Sequence, residues 1–238
     1  MNIVIDAGNT RIKVGIFDGR VLTEKYLFAN LIELEAFLKL RHFNNAIISS
    51  VGLEPTEMVD HIQVTDLRLT LSHLLPLPVA IRYGTPHTLG VDRIAAVCGA
   101  WELFPNQNSL VIDAGTCITY EWLDARGNYF GGSISPGLDM RLNAMHTFTA
   151  RLPLVPVHSE ADLVGGNTEQ ALQSGAWHGV VSEMDGIIER YVNKYGPLQV
   201  VLCGGDTALF ENRLKHTIFA APDLVLSGLN RILLHNAD

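Results

Sequence analysis

The 238-residue sequence has little cysteine and no long apolar run. Its three cysteines, Cys98, Cys117 and Cys203, are far apart and include no Cys-x-x-Cys pair, which argues against a disulfide framework or a cysteine-rich metal site. No apolar run reaches the roughly 18 residues that span a bilayer, and Asp6 interrupts the apolar start too early for a signal peptide. We therefore expect a soluble, cytoplasmic protein with reduced thiols and no membrane partner.

Charged residues are also few, at 18% of the sequence, whereas an ordinary soluble chain has about 25%. The 17 basic and 25 acidic side chains give a net charge of −8, and no segment concentrates Lys or Arg. This pattern argues against binding to nucleic acid or to an anionic membrane surface. The hydrophobic fraction of 47% predicts a globular protein with a real core, and the length allows one large domain or two compact lobes.

A short segment is repeated within the chain: Val4-Ile5-Asp6-Ala7-Gly8 recurs as Val111-Ile112-Asp113-Ala114-Gly115. In both copies an apolar strand runs into an Asp, a glycine-containing turn and a second strand-like segment, so each half is predicted to open with three antiparallel strands. Strand and helix patterns then alternate, which predicts an α/β fold with mixed sheets and helices on their faces. We place the division between two similar lobes near residue 105, giving residues 1–105 and 106–238.

Apolar spacing and capping residues predict the other elements. Asn30 and Glu33 form a capping-box pattern for a helix that reaches about Arg41. The remaining predicted elements are strands at 45–51 and 199–202, a helix from about Asp92, and helices at 137–148 and 168–192.

The first repeated turn, Asp6-Ala7-Gly8-Asn9-Thr10 followed by Lys13, suits the binding of phosphate. Glycine leaves backbone amides accessible, Asp6 is placed to hold Mg²⁺, and Thr10 and Lys13 offer a hydroxyl and a positive charge. An ordinary hairpin, with Asp6 capping the turn, is the alternative. The second acidic glycine turn, at Asp113-Ala114-Gly115-Thr116, favours the phosphate interpretation, because two such turns suit a polyphosphate and its cations.

Two further segments allow a structural or a functional interpretation. Asp92, in Gly90-Val91-Asp92-Arg93, is either a helix N-cap or a base for a hydroxyl proton beside an arginine that binds a carboxylate. The glycine-rich segment 131–137 is either a tight sheet corner or a close approach to a ligand. Tyr83 is by itself a packing residue, and Thr168 is most simply an N-cap.

Six motifs in order resemble those of type III pantothenate kinase. They are Asp-x-Gly-Asn-Thr-x-x-Lys at 6–13, Gly-x-Asp-Arg at 90–93, Asp-x-Gly-Thr at 113–116, Gly-Gly-x-Ile-x-Pro-Gly at 131–137, Thr-Ala-Arg-Leu-Pro at 149–153 and Gly-Asn-Thr at 166–168. The resemblance spans nearly the whole chain. It implies the duplicated ribonuclease-H-like fold that is shared by acetate and sugar kinases, heat-shock ATPases and actin.

The resemblance also implies a function and a set of site residues. The function is ATP-dependent phosphorylation of pantothenate, the first step of coenzyme A biosynthesis, in a homodimer that requires Mg²⁺ and K⁺ or NH₄⁺. Asp92 would be the proton acceptor, Asp6 would hold Mg²⁺ and Asp113 the monovalent cation. The ATP contacts would be Asp6, Ala7, Gly8, Asn9, Thr10, Arg11, Ile12, Lys13 and Thr116, and the pantothenate contacts Tyr83, Gly90, Val91, Asp92, Arg93 and Thr168.

The sequence departs from the family pattern after its Asp-x-Gly-Thr motif. The family usually continues with small or hydroxylated residues, whereas this chain has Cys117 and Ile118. Two other functions stay open at this point. One is a kinase of another small hydroxylated metabolite on the same fold, and the other is a non-catalytic regulatory protein that binds ATP. Intact carboxylates at Asp6, Asp92 and Asp113 argue against the second.

Overall fold

The alternating apolar residues at the start of the chain form the first strands of a mixed sheet. The computed structural model describes residues 1–8, 11–50 and 62–237, and the chain divides into two compact units. The first unit comprises Met1–Gln107, Leu123–Phe130 and Asp223–Asp238, and the second Asn108–Trp122 and Gly131–Pro222. Each unit is therefore assembled from separate segments of the chain.

The first unit has a five-stranded sheet in the order β3-β2-β1-β4-β5. The strands are β1 (Asn2–Ala7), β2 (Ile12–Asp18), β3 (Val21–Phe28), β4 (His42–Ser50) and β5 (Gln63–Thr70). β1, β2 and β3 pair antiparallel, whereas β4 pairs parallel with both β1 and β5. The predicted mixed sheet and its opening three-stranded unit are confirmed.

Helices cover both faces of this sheet. Helix α1 (Leu31–Leu38) packs Leu34 and Leu38 against Ile3, Ile5 and other buried residues of one face. Its N-cap Asn30 accepts a hydrogen bond from the Glu33 amide at 3.1 Å, as the capping pattern predicts. The opposite face is covered by α2 (Val91–Leu103) and α6 (Leu224–Ala237), which pack against each other.

Two glycines permit the close crossing of α2 and α6. A Cβ at Gly228 would overlap the backbone carbonyl of Ala95, and a Cβ at Gly99 would lie 2.5 Å from the carbonyl oxygen of Leu224. The helix backbones are therefore in direct contact, which no larger residue at these positions allows without a shift.

We expect Gly228→Ala to lower the free energy of unfolding by about 1–3 kcal/mol, because the added methyl group forces the two helices apart. Gly186→Ala, in an open position of another helix, is the matched control and should stabilise the protein by up to about 1 kcal/mol. Denaturant unfolding of both variants measures the difference. Equal stability of the two variants would contradict the close crossing.

The second unit carries most of a six-stranded sheet in the order β11-β10-β7-β8-β9-β6. Its strands are β7 (Ser109–Ala114), β8 (Cys117–Leu123), β9 (Asn128–Pro136), β10 (Gln199–Cys203) and β11 (Phe219–Ala220), and the short β6 (Ala80–Ile81) pairs with the beginning of β9. β7 and β11 each pair parallel with β10. Pairing places Asp113 beside Cys203, at the ends of their strands.

The helices of the second unit are α3 (Leu138–Thr147), α4 (Thr168–Tyr195) and the single turn α5 (Thr207–Phe210). The predicted apolar side of α4 is confirmed, with Val180, Met184 and Ile188 buried in the core. Trp177 of the same helix stacks on Phe210, with ring centroids 5.3 Å apart. These contacts fix α4 against the sheet.

Several element boundaries differ from the prediction. α1 ends at Leu38 rather than near Arg41, and α4 continues to Tyr195. Val51, in the predicted strand 45–51, lies outside the described residues. The division into residues 1–105 and 106–238 concerns the two repeated halves of the sequence and stays a prediction. In the described part of the chain, no helix is long and apolar enough to cross a membrane.

Candidate functional site

The first acidic turn follows β1 in the first unit. Asp6 is 8% exposed, and the Gly8 amide donates a hydrogen bond to the Arg11 carbonyl at 3.2 Å. Asn9 and Thr10, both predicted ATP contacts, lie outside the described residues. Strand pairing sets Lys13 of β2 opposite Asp6. Directly paired residues project from the same face, so the side chains of Asp6 and Lys13 start from adjacent positions.

Ser49 of β4 also pairs with Asp6, and sequence reasoning missed it. Four residues earlier on the same two strands, Asn45 donates a hydrogen bond to the Asn2 side chain at 3.0 Å, which confirms that these residues share a face. The hydroxyl of Ser49 is fully buried and has no hydrogen-bond partner among the described residues. The only signal in the sequence is a serine at the end of a buried strand, which by itself carries no function.

The carboxylate of Asp92 lies in the first turn of α2. The N-cap is Gly90, so the N-cap interpretation of Asp92 is wrong. Asp92 Oδ1 accepts a hydrogen bond from the Arg93 amide at 2.9 Å. A Cβ at Gly90 would lie 2.5 Å from this oxygen, so glycine leaves the space that the carboxylate occupies.

Arg93 and Tyr83 come together beside Asp92. The Arg93 guanidinium carbon lies 5.8 Å from the centroid of the Tyr83 ring, a cation–π distance. Arg93 is only 8% exposed, which is unusual for an arginine. Tyr83 therefore contacts the charged group of Arg93, for which the sequence left carboxylate binding and a structural role open.

The second acidic turn follows β7 in the second unit. The Asp113 side chain packs so tightly against Gly204 that a Cβ there would overlap it, and Gly204 has a φ of +95°, which favours glycine. The Asp206 amide donates a hydrogen bond to the Ala114 carbonyl at 3.0 Å. Burial, and then the negative charge of Asp139, raise the pKa of Asp206. Carboxylate and carbonyl oxygens therefore lie together at this end of the second unit, and the carboxylates make the electrostatic potential there negative.

The glycine-rich segment 131–137 is a tight corner that supports the second turn. The Gly137 amide donates a hydrogen bond to the Thr116 carbonyl at 3.1 Å, and a Cβ at Gly137 would overlap the carbonyl of Gly115. A Cβ at Gly132 would likewise overlap the Tyr120 carbonyl. Of the two interpretations that the sequence left open, these contacts favour the sheet corner.

Thr168 is the first residue of α4 and is exposed. The N-cap is Asn167, whose side chain accepts a hydrogen bond from the Gln170 amide at 2.9 Å, so the capping role of Thr168 is wrong. The capping bond therefore does not use the Thr168 hydroxyl.

The model of one known family, type III pantothenate kinase, matches residues 2–190. A type III pantothenate kinase from Cytophaga hutchinsonii is 44% identical over 236 residues, which cover 99% of this chain and 100% of that protein. One from Bacteroides fragilis is 45% identical over 239 residues, covering 99% and 98%. The chain belongs to the type III pantothenate kinase family.

Solved structures extend the family assignment to the fold. A Campylobacter jejuni protein, whose name assigns it to the Baf family of transcriptional activators, superposes with a TM-score of 0.67 at 20% identity and 98% coverage of both chains. A ROK family protein from Streptococcus pneumoniae gives a TM-score of 0.54 at 12% identity, covering 99% of this chain and 98% of that one. The pantothenate kinase family member described here therefore has the duplicated ribonuclease-H-like fold, as its motifs imply.

Proposed function

We propose that this chain phosphorylates pantothenate with ATP, and that Asp92 accepts the proton of the substrate's primary hydroxyl. Membership of the family over the full length supports the reaction, which opens coenzyme A biosynthesis. The observation that carries the role of Asp92 is its placement. Its carboxylate lies in the first turn of a helix, outside the capping position, and is held by a backbone amide.

A proton acceptor needs an oriented carboxylate with acceptor capacity to spare. The Arg93 amide uses one lone pair of Asp92 Oδ1, and a carboxylate has about four acceptor sites. The fixed orientation contributes to the reaction rate, because phosphoryl transfer depends on positioning more than on covalent chemistry by the protein. Asp92 therefore orients the hydroxyl first and takes its proton as the bond to phosphorus forms.

Arg93 binds the carboxylate of pantothenate in this proposal. Tyr83 restrains the guanidinium, so less side-chain entropy is lost when the substrate arrives. A guanidinium and a carboxylate can form two parallel hydrogen bonds, which fix the orientation of the substrate. Gly90 and Val91 contribute the adjoining backbone, and the exposed Thr168 is a further substrate contact.

The segment Asp6, Ala7, Gly8, Asn9, Thr10, Arg11, Ile12, Lys13 binds the phosphates of ATP. Mg²⁺ binds through one or two carboxylates together with phosphate oxygens and waters, so the Asp6 carboxylate fits it. When bound, Mg²⁺ neutralises negative charge on the phosphates. Lys13 adds a positive charge beside Asp6, and the buried Ser49 hydroxyl adds a hydrogen-bonding group on the same face.

The second turn supplies Thr116 as an ATP contact and Asp113 as the ligand of a monovalent cation, K⁺ or NH₄⁺. The donors present there are a carboxylate and backbone carbonyls, the oxygen ligands that hard cations take. A homodimer stays a prediction of the family resemblance, and a cytoplasmic location stays a prediction from the sequence.

ADP release from ATP and Mg²⁺ tests the proposal, measured with and without pantothenate, in Na⁺ and then in K⁺. We expect turnover that depends on pantothenate and rises in K⁺, and Asp113→Ala should reduce the response to K⁺ at constant ionic strength. Turnover with another hydroxylated metabolite but not with pantothenate would contradict the substrate. If Asp113→Ala responded to K⁺ as the wild type does, the role of Asp113 as the cation ligand would be contradicted.

A further inference from the structure

A cluster of four polar side chains in the second unit lies outside the residues assigned so far. The Glu183 carboxylate of α4 accepts hydrogen bonds from the Tyr120 hydroxyl at 2.9 Å and the Ser135 hydroxyl at 3.0 Å, and from the Arg141 guanidinium. The side chains of Arg141 and Glu183 are 21% and 25% exposed. One carboxylate thus joins the strands β8 and β9 to the helices α3 and α4.

Glu183 is held as a carboxylate. Burial by itself would raise its pKa, but the hydrogen bonds from Arg141, Ser135 and Tyr120 outweigh burial, and the pKa lies below its usual value. Burial and the charge of Glu183 raise the pKa of Tyr120, which therefore stays a donor. Glu183 is therefore an acceptor in this cluster and Tyr120 a donor.

Arg141 connects this carboxylate to the corner formed by Ser135, Pro136 and Gly137. Its Nε donates to the Pro136 carbonyl at 2.8 Å, and its Nη2 donates to the Ser135 hydroxyl at 2.9 Å. The guanidinium therefore holds both the backbone and a side chain of the corner. Glu183 in turn fixes the guanidinium and the same serine.

The corner touches the turn that carries Thr116. Gly137 donates its amide hydrogen to the Thr116 carbonyl and packs against the Gly115 carbonyl. A displacement of the corner must move this turn, because no gap separates the two backbones. Contacts thus lead from Glu183 to Arg141 or Ser135, from these two residues to Gly137 of the same corner, and from Gly137 to Thr116.

We propose that Glu183 is a positioning residue for ATP, which acts by fixing the corner that sets the place of the Thr116 turn. The proposal rests on the proposed contact of Thr116 with ATP. A purely structural ion pair would stabilise the fold without favouring one substrate over the other. The two roles therefore differ in their effect on the KM for ATP relative to the KM for pantothenate.

The test compares Glu183→Gln and Ser135→Ala with Tyr120→Phe in the full-length protein. Tyr120→Phe is the matched control, because it removes a hydrogen bond of similar length to Glu183 but leaves both contacts with the corner. We expect Glu183→Gln to raise the KM for ATP by about tenfold and Ser135→Ala by a smaller factor, with the KM for pantothenate within about twofold of wild type. Tyr120→Phe should leave both constants within about twofold.

The proposal is overturned if both corner variants match Tyr120→Phe in their KM for ATP. It is also overturned if the two KM values rise equally while the unfolding temperature falls, since that is the behaviour of a structural ion pair. Calorimetric titration of ATP and Mg²⁺ into wild type and Glu183→Gln measures ATP binding directly, and so tests the positioning of ATP without turnover. Failure of the proposed function would instead appear in the wild-type protein, as ADP release that pantothenate does not stimulate.

Discussion

Asp92→Asn is expected to lower kcat for pantothenate phosphorylation by on the order of 10²-fold or more. The amide keeps the size of the side chain and can still accept a hydrogen bond from the Arg93 backbone, but it cannot take a proton from the substrate hydroxyl. Binding of pantothenate and ATP depends on other groups, so the KM values should change less than kcat. Steady-state assays with each substrate varied in turn separate these effects.

The control for this variant is Asp139→Asn. Asp139 occupies the same position in α3 as Asp92 does in α2, the second residue after a glycine N-cap. Both changes remove one negative charge from the first turn of a helix, so they affect the interaction with the helix dipole alike. Because Asp139 contributes to the negative potential near Asp206, kcat is compared at saturating K⁺, where we expect Asp139→Asn to stay within about twofold of wild type. If Asp92→Asn also kept the wild-type kcat, Asp92 would not be the base.

Arg93→Ala is expected to raise the KM for pantothenate by about 10–100-fold, the scale of losing hydrogen bonds to a charged group. The ion pair forms before the chemical step and persists through it, so kcat should change much less. The rise in KM caused by Arg93→Ala should be small for the alcohol analogue of pantothenate, in which –CH₂OH replaces the carboxylate. Comparing the two substrates on wild type and variant isolates the contribution of the carboxylate.

Arg82→Ala serves as the matched control for that experiment. Arg82 is an exposed arginine next to Tyr83, and its Nε donates a hydrogen bond to the Asn128 side chain at 3.0 Å. We expect its KM for pantothenate to stay near the wild-type value. An equal rise in KM for pantothenate and for the alcohol analogue in Arg93→Ala would show that Arg93 does not bind the carboxylate.

The parts of the fold that local sequence determines were predictable. Alternation at Ile12, Val14 and Ile16 predicted β2, and the pair Asn30 and Glu33 predicted the start of α1. The role of Asp92 could not be decided in the same way. Whether it caps the helix depends on the backbone at Gly90, and a sequence pattern does not specify which residue next to the first turn takes that position.

Long-range contacts account for what the sequence did not predict. Glu183 is separated by 63 residues from Tyr120 and by 48 from Ser135, and no spacing rule relates positions so far apart. Ser49 stands beside Asp6 only because β1 and β4 pair in one register. Such neighbours follow from the topology of the sheet, which single-residue preferences do not encode.

The departure from the family pattern at Cys117 and Ile118 has a structural explanation. Ile118 is 1% exposed and belongs to the core of the second unit, whereas Thr116 is exposed. Cys117 is the first residue of β8, where its carbonyl accepts a hydrogen bond from the Gly115 amide at 3.0 Å. Because a backbone hydrogen bond holds this turn, the turn can form with different side chains at the two positions after Thr116.

The place of α6 has a consequence for how the protein is synthesised. The ribosome makes the strands of the first unit first, yet the helix that closes one face of their sheet is near the end of the chain. Until that helix emerges, β1, β4 and α2 lack the helix that packs against them. Nascent chains with such uncovered surface are prone to aggregate. Chains that stop before Leu224 should therefore bind chaperones that recognise exposed apolar surface, and chains that include α6 should not.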